Sequence, residues 1–119
     1  MKTFQELAAD LSKPGAEIVA EMTPQKAHLL HMAVGVAGEA GELLDAIKKH
    51  VVYGKPLDFS NVIEELGDLR FYMAGIMNGL SITEAELLEA NNAKLGKRYA
   101  SGSYSNAQAQ ARADKEAAE

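Results

Sequence analysis

The sequence predicts an all-α protein, a helical bundle of four to five helices, on three observations. Apolar residues recur at helical spacing through two long runs, 24–52 and 60–80. Capping and breaking residues punctuate the chain at Thr23-Pro24, Tyr53-Gly54-Lys55-Pro56 and Thr83-Glu84-Ala85-Glu86. No stretch alternates apolar with polar residues as a half-buried strand would.

The first element, TFQELAADLS at 3–12, reads as a short amphipathic helix ended by Pro14-Gly15. Thr23 offers a capping hydroxyl and Pro24 a preset φ at the first helical position, so a second helix starts there. It runs to about residue 52 on Leu29, Ala33, Val36, Ala40, Leu43 and Ile47. The break at 53–56 follows, with Asp58 or Ser60 as the next cap. A third helix carries Val62, Leu66, Leu69, Met73, Ile76 and Leu80, and Gly79-Leu80 ends it. The capping box at Thr83–Glu86 opens a fourth, to about Tyr99. The Ala-, Ser- and Gln-rich tail, 101–119, predicts one weak further helix or a frayed end.

At 119 residues the chain suits one domain, 1–119, with its core at about 24–100. There is no Trp and little Phe or Tyr, so the core must draw on Leu, Ile, Val, Met and Ala. A core this modest is consistent with an oligomer. The net charge of −5 lacks the basic footprint of a nucleic-acid binder. The absence of Cys removes disulfides and thiolate metal sites. The segment MKTFQELAADLSKPG has no long apolar region, and no run is long enough to span a membrane. These features predict a soluble, cytoplasmic protein.

Two acid pairs interrupt the apolar runs: Glu39 and Glu42 in GEAGELLDAIKKH, Glu65 and Asp68 in EELGD. At about 100° per residue, Glu39 falls roughly 80° and Glu42 roughly 140° from the centre of their stripe. Glu65 and Asp68 fall roughly 70° and roughly 130° from theirs, also on a common side. In an antiparallel hairpin the pairs come within about a turn of the same height. Gly35, Gly38 and Ala46 on one helix, and Gly75 and Gly79 on the other, lie on or near the acid side. A helical Gly costs about 1 kcal/mol against Ala, which a close approach by a backbone or a ligand repays, as does ordinary helix packing. Crowded carboxylates raise their own pKa values or take a hard divalent cation. On two solvated helices the same acids would instead pair with Lys48, Lys49 or Arg70.

With these residues placed, the chain resembles the MazG-like nucleotide pyrophosphohydrolases, all-α enzymes whose motif is E-x-x-E, a spacer, then E-x-x-D. Here it reads Glu39-Ala-Gly-Glu42, a spacer of 22 residues, and Glu65-Leu-Gly-Asp68. The flanking text GEAGELLDAIKKHVVYGKP and NVIEELGDLRFYM agrees. So does Asn91-Asn-Ala-Lys94-Leu-Gly-Lys-Arg98-Tyr99, similar to the family's N-x-x-K-L…R-Y segment, and the likeness covers about residues 26–100.

The resemblance implies metal-dependent hydrolysis of a nucleoside triphosphate between its α and β phosphates, giving monophosphate and pyrophosphate. It implies Mg²⁺ or Mn²⁺ on Glu42, Glu65 and Asp68, with Glu39 a fourth ligand or the general base. Asn91, Lys94, Arg98 and Tyr99 follow as substrate contacts; Lys94 and Arg98 share a face of the last helix. The base stays open, purine (with (d)GTP a candidate) or pyrimidine, ribo or deoxy, in a role of nucleotide-pool control. Tyr72 is one candidate to stack on it. His28 and His31 read as packing or surface residues. Related enzymes assemble as homodimers or homotetramers, dimers of dimers whose sites are completed by oligomerisation. Two rival readings are a phosphoribosyl-ATP pyrophosphohydrolase on the same scaffold and a non-catalytic helical module that binds a metal or a partner.

Overall fold

A computed structural model describes residues 1–116. Seven helices lie among them: α1 (Phe4–Leu11), α2 (Gly15–Ala20), α3 (Pro24–Val51), α4 (Phe59–Leu80), α5 (Glu84–Arg98), α6 (Asn106–Ala111) and α7 (Ala113–Glu116). No strand occurs among the described residues, so the all-α class holds. The four helices expected up to Tyr99 are present. The short α2 is an addition, and the tail folds into two short helices rather than one. Residues 117–119 of the expected tail lie outside the described residues.

Local chemistry sets the boundaries. Thr3 accepts from the Glu6 amide and the Glu6 carboxylate accepts from the Thr3 amide, a reciprocal box that opens α1. Thr23 accepts from the Lys26 amide, with Pro24 at the first helical position of α3. Of the two residues suggested for α4, Asp58 supplies the cap, accepting from the Asn61 amide at 3.1 Å. Gly54 takes φ +68° in the turn between α3 and α4, a conformation that favours glycine. Thr83 accepts from the Glu86 amide and its hydroxyl donates to the Glu86 carboxylate.

The chain divides into two compact units, Met1–Gly79 and Leu80–Glu119. In the first, α3 and α4 run antiparallel. Gln25 Nε2 donates to the Gly79 carbonyl at 3.0 Å, His28 Nε2 lies 2.8 Å from the Gly75 carbonyl oxygen, and Tyr72 packs beside Gly35. His31 meets the edge of the Tyr72 ring at 6.4 Å between centroids. His28, His31 and Tyr72 are thus residues of the α3–α4 seam.

The seam keeps Leu29, Val36 and Leu43 of the expected stripe half-buried but is turned from it toward the acid side of α3. Met32 and Ala46 are buried, while Ala33, Ala40 and Ile47 are exposed. The physical reason is the small residues. A Cβ on Gly35 would lie 2.2 Å from the Tyr72 ring, and one on Gly79 would lie 2.9 Å from the His28 ring. Bare backbone at these points lets α4 approach on the acid side. Gly35, Gly75 and Gly79 therefore serve helix packing, whereas Gly38 faces open space. In the second unit, α6 and α7 fold back against α5.

Candidate functional site

The rotation of the seam brings carboxylates together. Glu39 stands one turn beyond Gly35 on α3, and Glu65 and Asp68 lie in the middle of α4. One carboxylate oxygen from each of the three lies within 4.8 Å of the others. Glu39 and Glu65 are half-buried and Asp68 is exposed. Glu42, one turn further along α3, is exposed and outside this group of three, yet its charge acts on Glu65.

Glu65 carries the strain of the arrangement. A hydrogen bond with Glu39, then burial, then the charges of Glu39, Glu42 and Asp68 push its carboxyl up to about 7. Two carboxyl groups share a hydrogen bond only when one of them holds a proton. Glu65 Oε2 is buried with no hydrogen-bond partner, an orphaned acceptor of the kind native folds avoid. Lys49 reaches Asp45 at 3.0 Å rather than any of the four acids, and Lys48 lies over the Tyr53 ring at 5.6 Å.

This donor set fits a hard divalent cation. All its ligands are carboxylate oxygens, which suit Mg²⁺ or Mn²⁺. The three oxygens lie within 4.8 Å of one another, close enough for Glu39, Glu65 and Asp68 to hold a single ion together. A cation there would supply a countercharge for the crowded carboxylates and a partner for Glu65 Oε2.

The other predicted site residues lie in the second unit. Asn91 and Lys94 are exposed on α5. Arg98, in its last turn, holds Asp114 with two bonds, Nε to Oδ1 at 2.9 Å and Nη2 to Oδ2 at 3.3 Å. Each raises the other's charged form: the Arg98 pKa moves up and the Asp114 carboxyl is held below its usual range. Tyr99 caps α5 and meets Tyr104 ring to ring at 5.9 Å. Asp114 is a partner that pattern reading missed. It sits in ARADKE, a short mixed-charge segment with no motif, and only the fold brings it to Arg98.

No curated protein and no solved structure matches the chain significantly. The model of the MazG nucleotide pyrophosphohydrolase domain matches residues 27–102, nearly the span over which the motifs run. Those matched residues hold all four acids together with Asn91, Lys94, Arg98 and Tyr99. The match supports nucleotide pyrophosphohydrolase activity in general. It covers well over half of the sequence, and the chain belongs to the MazG nucleotide pyrophosphohydrolase domain family.

Proposed function

We propose that this protein is a metal-dependent nucleoside triphosphate pyrophosphohydrolase, converting a (d)NTP and water to the (d)NMP and pyrophosphate. The observation that carries this reading is the convergence of the Glu39, Glu65 and Asp68 carboxylates, with Glu65 Oε2 buried and without a hydrogen-bond partner. Mg²⁺ or Mn²⁺ would be held by these three. Bound there, it supplies charge neutralisation at the phosphate oxygens and a lowered pKa for coordinated water.

The chain's own residues do the rest. The water oxygen bonds to the α-phosphorus as the bridging oxygen leaves with the β and γ phosphates, taking the bonding electron pair. Glu42, outside the group of three but one helical turn from Glu39, is the acid left to accept the water proton. Lys94 and Arg98 bind phosphate oxygens. Arg98 has five N–H donors and spends two on Asp114, so donors remain for a phosphate. Asn91 and Tyr99 contact the nucleotide. The protein acts as a homodimer or homotetramer.

The test is pyrophosphate release from the eight standard NTPs and dNTPs, each with Mg²⁺, with Mn²⁺ and with EDTA. Metal-dependent release with the monophosphate as coproduct is expected, and the fastest substrate names the base. Phosphoribosyl-ATP is run beside them, and release from it alone would move the reading to that substrate on the same scaffold. Absence of turnover on all of them would reduce the chain to a binding module.

A further inference from the structure

The second unit spends several interactions on bringing one carboxylate to Arg98. Gln108 on α6 donates to Ser101 Oγ at 2.8 Å and to Ser105 Oγ at 2.9 Å, and accepts from the Ser101 amide at 3.2 Å. This ties α6 back to the end of α5. Arg112 then takes a left-handed turn at φ +50°, unfavourable for a residue with a Cβ, and α7 starts at the next residue. The turn delivers Asp114. Its side chain is 4 % exposed while that of Arg98 keeps 20 %. Both oxygens of Asp114 are used on the Nε and Nη2 edge of the guanidinium, so the planar group is held in one orientation with its Nη1 hydrogens uncommitted to that carboxylate.

Docking a short helix does not call for a half-buried ion pair. The desolvation cost of the two charges offsets much of their attraction, and an apolar pair docks as well. What the pair adds is a fixed plane and a fixed charge, properties that matter for gripping an anion. Asp114 also lies beyond the residues matched by the family model, which end at 102.

We infer that Asp114 is a positioning residue for triphosphate binding: it orients the Arg98 guanidinium so that the Nη1 edge meets a phosphate oxygen. The inference rests on the reading of Arg98 as a triphosphate contact. Asp114 itself touches no substrate.

The test compares wild type, Asp114→Asn, Arg98→Ala and the double variant. It reads KM and kcat for the best nucleotide, and the Kd of its non-hydrolysable α,β-methylene analogue by calorimetry. One charge-assisted hydrogen-bonding geometry is worth about tenfold in affinity. Asp114→Asn is therefore expected to raise both KM and the analogue Kd about tenfold, with kcat within about twofold. The double variant is expected to bind no more weakly than Arg98→Ala, because Asp114 acts only through that side chain.

Wild-type KM and Kd in Asp114→Asn with a lowered melting temperature would make the pair structural and overturn the inference. So would a loss that adds in full to that of Arg98→Ala. If Asp114→Asn does not fold, Asp114→Glu keeps the charge but shifts the carboxylate by one methylene, and the same split is read on it. A wild type that binds the analogue but releases no pyrophosphate would overturn the proposed reaction alone, and the variant comparison would still decide the role of Asp114. A wild type that does neither overturns both.

Discussion

The hydrogen bond with Glu39, burial and the surrounding carboxylate charges push Glu65 toward its protonated form. Its carboxyl is raised from an ordinary value of 4.5 to about 7, so the folded chain keeps a proton that the unfolded chain releases. Between these values the folded state binds more protons, and stability falls as pH rises. Below about 4.5 both states are protonated at this residue, and above about 7 both are ionised, so the slope is confined to that window. Thermal melting of the metal-free protein should therefore show a falling melting temperature across pH 4.5–7. Glu65→Gln should flatten the slope and melt higher than wild type at pH 8. Protons and a divalent cation compete for the same oxygens. Added Mg²⁺ should raise the wild-type melting temperature more at pH 8 than at pH 6, and should do little for Glu65→Gln. The same variant should lose at least ~100-fold in pyrophosphate release, since ligand loss costs more than the ~10–100-fold of supporting residues. A variant that melts higher and turns over at the wild-type rate would remove Glu65 from the site.

Between α3 and α4 the glycines divide by what stands in front of them. Gly35 meets the Tyr72 ring, which is fixed by edge contacts with His31 and with Phe71 at 5.3 Å. Gly35→Ala gains about 1 kcal/mol of helix propensity. It must also displace an aromatic ring, an overpacking cost of ~1–3 kcal/mol. The net is destabilising, and chemical denaturation should show a lower midpoint. Gly38 has open space, so Gly38→Ala should raise the midpoint by the propensity term unless another surface approaches there. The same division explains what pattern reading gave and withheld. Helical periods and caps are local, so α1, α3, α4 and α5 were legible. The offset of the acids was legible too: the inner residues of each pair, Glu39 and Glu65, are half-buried, and the outer ones, Glu42 and Asp68, are exposed. The turn of the seam toward the acids was not: Leu29, Val36 and Leu43 stay half-buried, but Ala33, Ala40 and Ile47 are left exposed. An apolar stripe weighs large side chains, whereas the seam is decided by Gly35, Gly75 and Gly79, whose missing side chains permit approach. Asp114 was illegible because its partner is set by a left-handed turn at a residue, Arg112, that carries no turn signature.

Packing α4 on one face of α3 leaves the other face bare. Leu30, Val34, Leu44 and Val51 form a line on α3, spaced for one side of a helix, and Leu44 is 67 % exposed. Phe59, Ile63 and Phe71 are likewise exposed on α4. Met32 and Ala46 are the buried apolar residues among those described. A single copy buries little apolar surface, and an apolar line of this length marks an interaction surface. A second copy of the chain is the simplest cover, since its own line is equally bare and a two-fold contact is self-complementary. The expected outcome in sedimentation equilibrium is a dimer or tetramer at micromolar concentration. The melting temperature should fall on dilution, because folding and association are linked. Leu44→Asp places a charge on the bare line without touching the seam or the acids. It should shift the protein to monomers, lower its helical content, and lose turnover with them. A Leu44→Asp monomer as stable and active as wild type would show that each chain folds and works alone.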